Sequence, residues 1–176
     1  NWGDYNEAGE ALLKLMRPAQ PSAISLDATT HANMRVLLVD DSATVRLAFQ
    51  KLLTKQGYQV EIASSVAEGK AKFAAQASDI VVTDYFMPGE NGPELIRALK
   101  SDPASAGTIC AVITGTYSDQ VINDSLASGA IECMFKSEAK ELFLARLHSL
   151  ARMVGDRKMV DAERRRLQGI LSSVGD

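Results

Sequence analysis

Apolar residues gather along most of this chain in short unbroken runs, and the stretches between those runs carry a helical beat. Residues 35–39 (RVLLV), 58–63, 79–83, 108–113 and 131–135 have strand length and are rich in Val and Ile. The intervening segments 43–56, 66–76, 93–100 and 119–128, and a last one from 138 to about 153, repeat their apolar positions every three or four residues. Ser42 stands where an N-cap would start the first helix, and Gly57 where a C-terminal glycine would end it. Five strand-then-helix units with continuously apolar strands predict an α/β fold, a doubly wound parallel sheet covered on both faces.

The ends depart from this rhythm. Residues 1–17 predict a short amphipathic helix through Tyr5, Leu12, Leu13 and Met16, which Pro18 stops, and 18–33 predict a linker. The expectation is that 1–33 close an upstream domain; a loose lead-in is the alternative. A domain over 34–153 follows. In 154–176, Val160, Leu167 and Val174 recur every seven residues with Leu171 between the last two. This predicts a C-terminal helical extension, a signalling helix leading toward an output domain, with Gly155 as a hinge. A solvated helix packed on nothing is the alternative, and the Arg164–Arg166 run reads as its polar face.

Totals narrow the function classes. With 176 residues, 46% hydrophobic and 23% charged, there is material for one common-sized domain plus extensions. A net charge of -3 gives no reason to expect nucleic acid, and no apolar run is long enough to cross a bilayer. Cys110 and Cys133 both fall inside apolar runs, which fits core thiols in a reducing, cytoplasmic setting. His31 falls in the linker, and His148 is expected on the outer surface of the last helix.

Chemistry concentrates where the apolar runs end. RVLLV closes on Asp40 and Asp41, IVVT on Asp84, ICAVI on Thr114 and ECMF on Lys136. In a parallel doubly wound sheet, ligands bind beyond those ends. Two carboxylates near 4 Å repel by about 1 kcal/mol in water and about 4 at an effective dielectric of 20. Such a cluster calls for a hard divalent cation, and carboxylate oxygens plus waters suit Mg²⁺. Asp84 is the candidate nucleophile, since carboxylates form aspartyl phosphates, with Thr114 and Lys136 available to the phosphoryl oxygens. Taken alone, the Asp40–Asp41 pair reads as a solvated turn or a helix cap; the joint placement of all five groups favours a site.

The stretches LLVDDS, DIVVTDYFMPGENG, AVITG, ASGA and FK together resemble the receiver domains of two-component response regulators, over roughly 34–153. That resemblance implies a flavodoxin-like sheet of strand order 2-1-3-4-5. It implies Asp84 as phosphoacceptor, Asp41 as a direct Mg²⁺ ligand and Asp40 as an acidic partner acting largely through water. The main-chain oxygen of Phe86 joins the metal set, Thr114 is the switch hydroxyl and Lys136 pairs with the phosphate. Implied partners are a histidine kinase or histidine phosphotransfer protein. A homodimer, through the last helix–strand–helix face or through the C-terminal helix, is open. Phe86 is read as a shield of the acyl phosphate against water.

Two positions depart from the family pattern. Cys133 stands where an aromatic is usual three residues before the lysine, and Ser137 where proline is usual after it. Both put the ordinary output mechanism in doubt and keep a second reading open, a non-phosphorylated pseudo-receiver acting as a protein-binding module. A phosphatase-type hydrolase with an Asp nucleophile is a third, disfavoured because Phe86 stands where such enzymes carry a second aspartate. No glycine-rich phosphate loop follows the first strand, which disfavours nucleotide hydrolysis.

Overall fold

The computed structural model describes residue 31 and residues 33–175; the helix expected over 1–17 and most of the linker lie outside the described residues. Five parallel strands, β1 (Arg35–Val39), β2 (Gln59–Ala63), β3 (Ile80–Asp84), β4 (Ile109–Thr114) and β5 (Glu132–Phe135), form one sheet in the order β2-β1-β3-β4-β5. Between them run α1 (Ala43–Lys55), α2 (Val66–Ala75), α3 (Gly92–Ser101) and α4 (Asp119–Ala127), and α5 (Lys140–Val174) closes the chain.

Alternation along the strands builds two cores. Val36, Leu38, Ile80, Val82, Ala111, Ile113 and Met134 face one side, where Leu53 of α1 and Phe143, Leu147 and Leu150 of α5 cover them. Their neighbours Leu37, Val39, Val81, Cys110 and Val112 face the other side and meet Leu95 and Ile96 of α3 and Val121 of α4. The inner strands β1, β3 and β4 are covered on both faces and carry no polar alternation, whereas the edge strand β2 alternates Gln59 and Glu61 with Val60 and Ile62. Burying each such side chain is worth about 1.5–3 kcal/mol, which is what holds the layers. The helix starts follow the sequence: Ser42 Oγ accepts from Val45 N, and Ser65 Oγ from Glu68 N.

Three features differ from expectation. The last helix does not stop near Met153; α5 runs 35 residues without a break, straight through Gly155. An interior glycine costs a helix only about 1 kcal/mol relative to alanine. Here the turn beyond it is tied down, with Lys158 Nζ 2.8 Å from Asp79 Oδ1 and Arg157 donating to Gly107 O at 2.7 Å. The hinge expected at Gly155 is therefore absent. Second, His148 is buried, not outward-facing. Third, His31 is buried too, its ring stacked on His148 at 4.8 Å and on Tyr58 at 5.2 Å.

None of the four ring nitrogens of that pair has a hydrogen-bond partner among the described residues. Burial lowers both histidine pKa values, and for His148 the neighbouring His31 and Arg152 add to the effect. A folded-state value below the ordinary 6.5 means the unfolded chain binds the proton more readily. The resulting loss of stability begins as pH falls past that ordinary value and deepens toward the folded-state one. Thermal melts between about pH 7.5 and about pH 5.5 will show a falling Tm in the native chain. In the His31→Phe/His148→Phe variant, which keeps two stackable rings, that fall will flatten.

Candidate functional site

Parallel register carries the five polar groups to one edge. Val39 pairs with Thr83, Asp84 with Ile113, and Thr114 with Phe135. Asp40 and Lys136 each follow one residue beyond a strand, and Lys136 N donates to Thr114 O at 2.8 Å. Carboxylate oxygens of Asp40, Asp41 and Asp84 come within 4.8 Å of one another. Asp40 and Thr114 are fully buried and Asp84 nearly so, while Asp41 faces solvent. The three acids and Lys136 meet there, and Thr114 ends the neighbouring strand.

Lys136 holds the centre. Its Nζ lies 2.7 Å from Asp40 Oδ2 and 2.8 Å from Asp84 Oδ2. Burial works to lower the lysine pKa, but the two carboxylates outweigh it and leave the ammonium more firmly protonated than an ordinary lysine. Asp84 moves the other way. Its burial raises the carboxyl above the ordinary value despite the hydrogen bond from Lys136, and Asp40 adds repulsion. One ammonium among three acids leaves net negative charge in a partly dry cup, an arrangement that favours a further cation.

The donor set fits a hard divalent ion. Asp40, Asp41 and Asp84 offer carboxylate oxygens, and the buried Asp40 Oδ2 has the Lys136 ammonium, 2.7 Å away, as its polar neighbour. Cys110 does not compete for a metal there, sealed in the sheet with its thiol pushed up to about 11 by burial.

Several supporting groups take roles at this edge that the sequence does not assign them. Arg46 Nη1 donates to the main-chain oxygens of Asp40 and Asp41, at 2.6 and 2.9 Å, fixing the acidic turn from one helical turn away. Ser42 N donates to Asp40 Oδ1 at 2.8 Å. Gly92, the first residue of α3, approaches so closely that a Cβ on it would meet Asp84 O at 2.0 Å. Any larger residue would push α3 off the end of β3.

Tyr85 ties the loop after Asp84 to three elements. Its N–H donates to Ile113 O, its carbonyl accepts from Gly92 N, and its hydroxyl donates to Asp124 Oδ2 on α4 at 2.9 Å. Asp124 is also paired with Arg97 of α3. Phe86, next along, is about half exposed and stacks edge-on against Tyr85. Cys133 is half-buried against the core that contains Tyr85, and the Lys136–Ser137 peptide is trans.

Comparison with known proteins agrees with this geometry. The family model described as response regulator receiver domain matches residues 36–148. The transcriptional regulatory protein TrcR of Mycobacterium tuberculosis is 32% identical over 119 residues, covering 68% of this chain and 46% of that protein. Response regulator MprA of Mycobacterium avium is 33% identical over 119 residues, covering 68% and 51%. The chain thus spans about half the length of the curated relatives it matches. Among solved structures, the chemotaxis protein CheY4 of Vibrio cholerae superposes with a TM-score of 0.64 at 28% identity, covering 68% of this chain and 99% of its own. A CheY-like receiver domain protein of Methanospirillum hungatei gives 0.67 at 25% identity, covering 72% and 99%.

Proposed function

The chain belongs to the response regulator receiver family, and on that premise we propose that it accepts a phosphoryl group on Asp84 from a phosphohistidine. The donor is a histidine kinase or a histidine phosphotransfer protein, and the setting is cytoplasmic. A carboxylate oxygen of Asp84 attacks phosphorus in line; the new P–O bond forms as the P–N bond to the donor imidazole breaks, and the imidazole leaves to take a proton from water. The observation that carries this reading is the Lys136 ammonium, shared between Asp40 and Asp84 at the carboxyl edge of the sheet.

Asp40, Asp41, Asp84 and the Phe86 main-chain oxygen would hold Mg²⁺, which when bound offsets the charge on the phosphoryl oxygens. Lys136 stays protonated throughout and faces the oxygens that develop charge. Transfer adds about one to two negative charges, comparable to other protein phosphorylations. Thr114 Oγ1, which accepts from Thr116 N, would turn to donate to a phosphoryl oxygen, drawing the β4–α4 loop inward. The protein is thus a regulatory acceptor rather than a turnover enzyme. Its proposed role is to switch a downstream output, toward which the α5 extension leads.

The test is intact mass after incubation with Mg²⁺ and acetyl phosphate. One phosphoryl group per chain supports the acceptor. Steady release of phosphate from phosphoesters would instead identify a hydrolase, and no uptake a pseudo-receiver. We read the half-exposed Phe86 ring, two residues past Asp84, as an apolar shield that limits water's approach to the acyl phosphate. Phe86→Asn is therefore expected to shorten the half-life of the phosphorylated form by about tenfold, read as mass decay after donor removal.

A further inference from the structure

Helix α4 is lightly anchored beside α3. Two of its nine residues, Val121 and Ser125, are buried, against five of ten in α3, and Ser118 makes no side-chain cap bond at its start. Among the described residues, Asp124 carries the one ion pair that joins α4 to another element, through Oδ1 to Arg97 of α3. The Tyr85 hydroxyl donates to the other oxygen of the same carboxylate at 2.9 Å. Burial, and then the bond to Asp124, raise the Tyr85 pKa, so the hydroxyl keeps its proton and remains a donor.

Tyr85 holds α4 from the acceptor side of the sheet. It follows Asp84 directly, and its main chain is fixed twice, the N–H on Ile113 O at 3.0 Å and the carbonyl under Gly92 N at 2.9 Å. Gly92 opens α3 so close to Asp84 O that no Cβ fits between them. The Tyr85 backbone and α3 therefore stay with the sheet. If Thr114 turns and draws the β4–α4 loop inward, α4 is the element that shifts, and Asp124 travels with it away from Tyr85 and Arg97. Position 133 offers no aromatic ring to follow Thr114. Its thiol packs instead against the core that contains Tyr85, so the ring that joins the acceptor loop to α4 is the one at 85.

We propose that Tyr85 is a positioning residue whose hydroxyl bond to Asp124 latches α4 in the unphosphorylated arrangement and is released when Asp84 is phosphorylated. The latch rests on Asp84 as the acceptor. A bond made in one arrangement only biases the protein toward it, and by the same factor opposes any ligand that selects the other. Hydrogen bonds to a carboxylate are among the stronger polar contacts in proteins, and the 35% exposure of Asp124 tempers this one to a factor of about five. Losing the latch therefore tightens binding at Asp84, the opposite of what damage to the site would do.

The test is a titration of the full 176-residue chain with beryllofluoride, a stand-in for the phosphoryl group, in the presence of Mg²⁺, read from the fluorine resonance of the bound ion. Tyr85→Phe, which removes one oxygen and keeps the ring, will bind about fivefold more tightly than the native chain. Asp124→Ala will gain at least as much, and adding Tyr85→Phe to it will change nothing further, because the bond is already gone. Melts close the cycle: Tyr85→Phe will melt below the native chain without beryllofluoride and level with it at the same saturating concentration. A hydroxyl that only stabilises the fold would lower Tm equally in both states and leave the affinity unchanged. That result overturns the latch and leaves Asp84 as acceptor, as does weaker binding by Tyr85→Phe. A native chain that binds no beryllofluoride overturns the acceptor reading, and the latch with it.

Discussion

Asp84→Asn will take up no phosphoryl group under conditions that fully modify the native chain. Asparagine keeps the shape of the side chain and loses the anionic oxygen that attacks phosphorus, so the expected effect is complete loss rather than slowing. Intact mass after acetyl phosphate and Mg²⁺ reads it directly. The variant will also fold well, because the acid sits in a cup with Asp40 and Asp41 where its charge is opposed by burial. Loss of one of three crowded acids relieves repulsion, so Tm at neutral pH should equal or exceed that of the native chain. Labelling that persists in Asp84→Asn would move the acceptor elsewhere and end the assignment.

Lys136→Met is expected to do harm in two ways that can be measured separately. Methionine fills much of the same space without charge. It leaves Asp40, fully buried, and Asp84 with no cation between them. Removing one partner of a buried pair costs about 3–5 kcal/mol, and because the lysine is a quarter exposed a smaller loss of about 2 kcal/mol is expected here. Adding Mg²⁺ should recover more stability in this variant than in the native chain, since the ion binds the folded cup only. Phosphoryl uptake will also fall, by about 10²-fold, the usual consequence of removing one fixed donor from oxygens that gain charge in a transition state. If Tm drops while the uptake rate holds, Lys136 is structural only.

Much of this was legible in the sequence because it is carried by short-range pattern. Continuous apolar runs announce strands buried on both faces, and a polar residue closing such a run stands at a sheet edge. For that reason Asp40, Asp41, Asp84, Thr114 and Lys136 could be grouped before any coordinates, and the sheet order followed from the resemblance. The misses depend on contacts between distant segments. The burial of His148 requires His31, far away in sequence, to lie against it. Arg46 looks like an ordinary exposed helix residue until its guanidinium is seen on the Asp40 and Asp41 carbonyls. Gly92 reads as one of several loop glycines, and only the 2.0 Å clearance to Asp84 O shows that it alone fits. At Gly155 local propensity suggests a weak point, yet α5 is continuous there, with Arg157 and Lys158 holding the turn beyond it.

The unbroken α5 has a consequence for how this protein behaves in solution. Thirty-five residues make a rod about 50 Å long, well over the diameter of the domain it leaves. Such a particle meets more friction than a sphere of equal mass and will leave a sizing column early. A monomer will therefore imitate a larger species there, and stoichiometry has to be read from light scattering or equilibrium sedimentation, which are blind to shape.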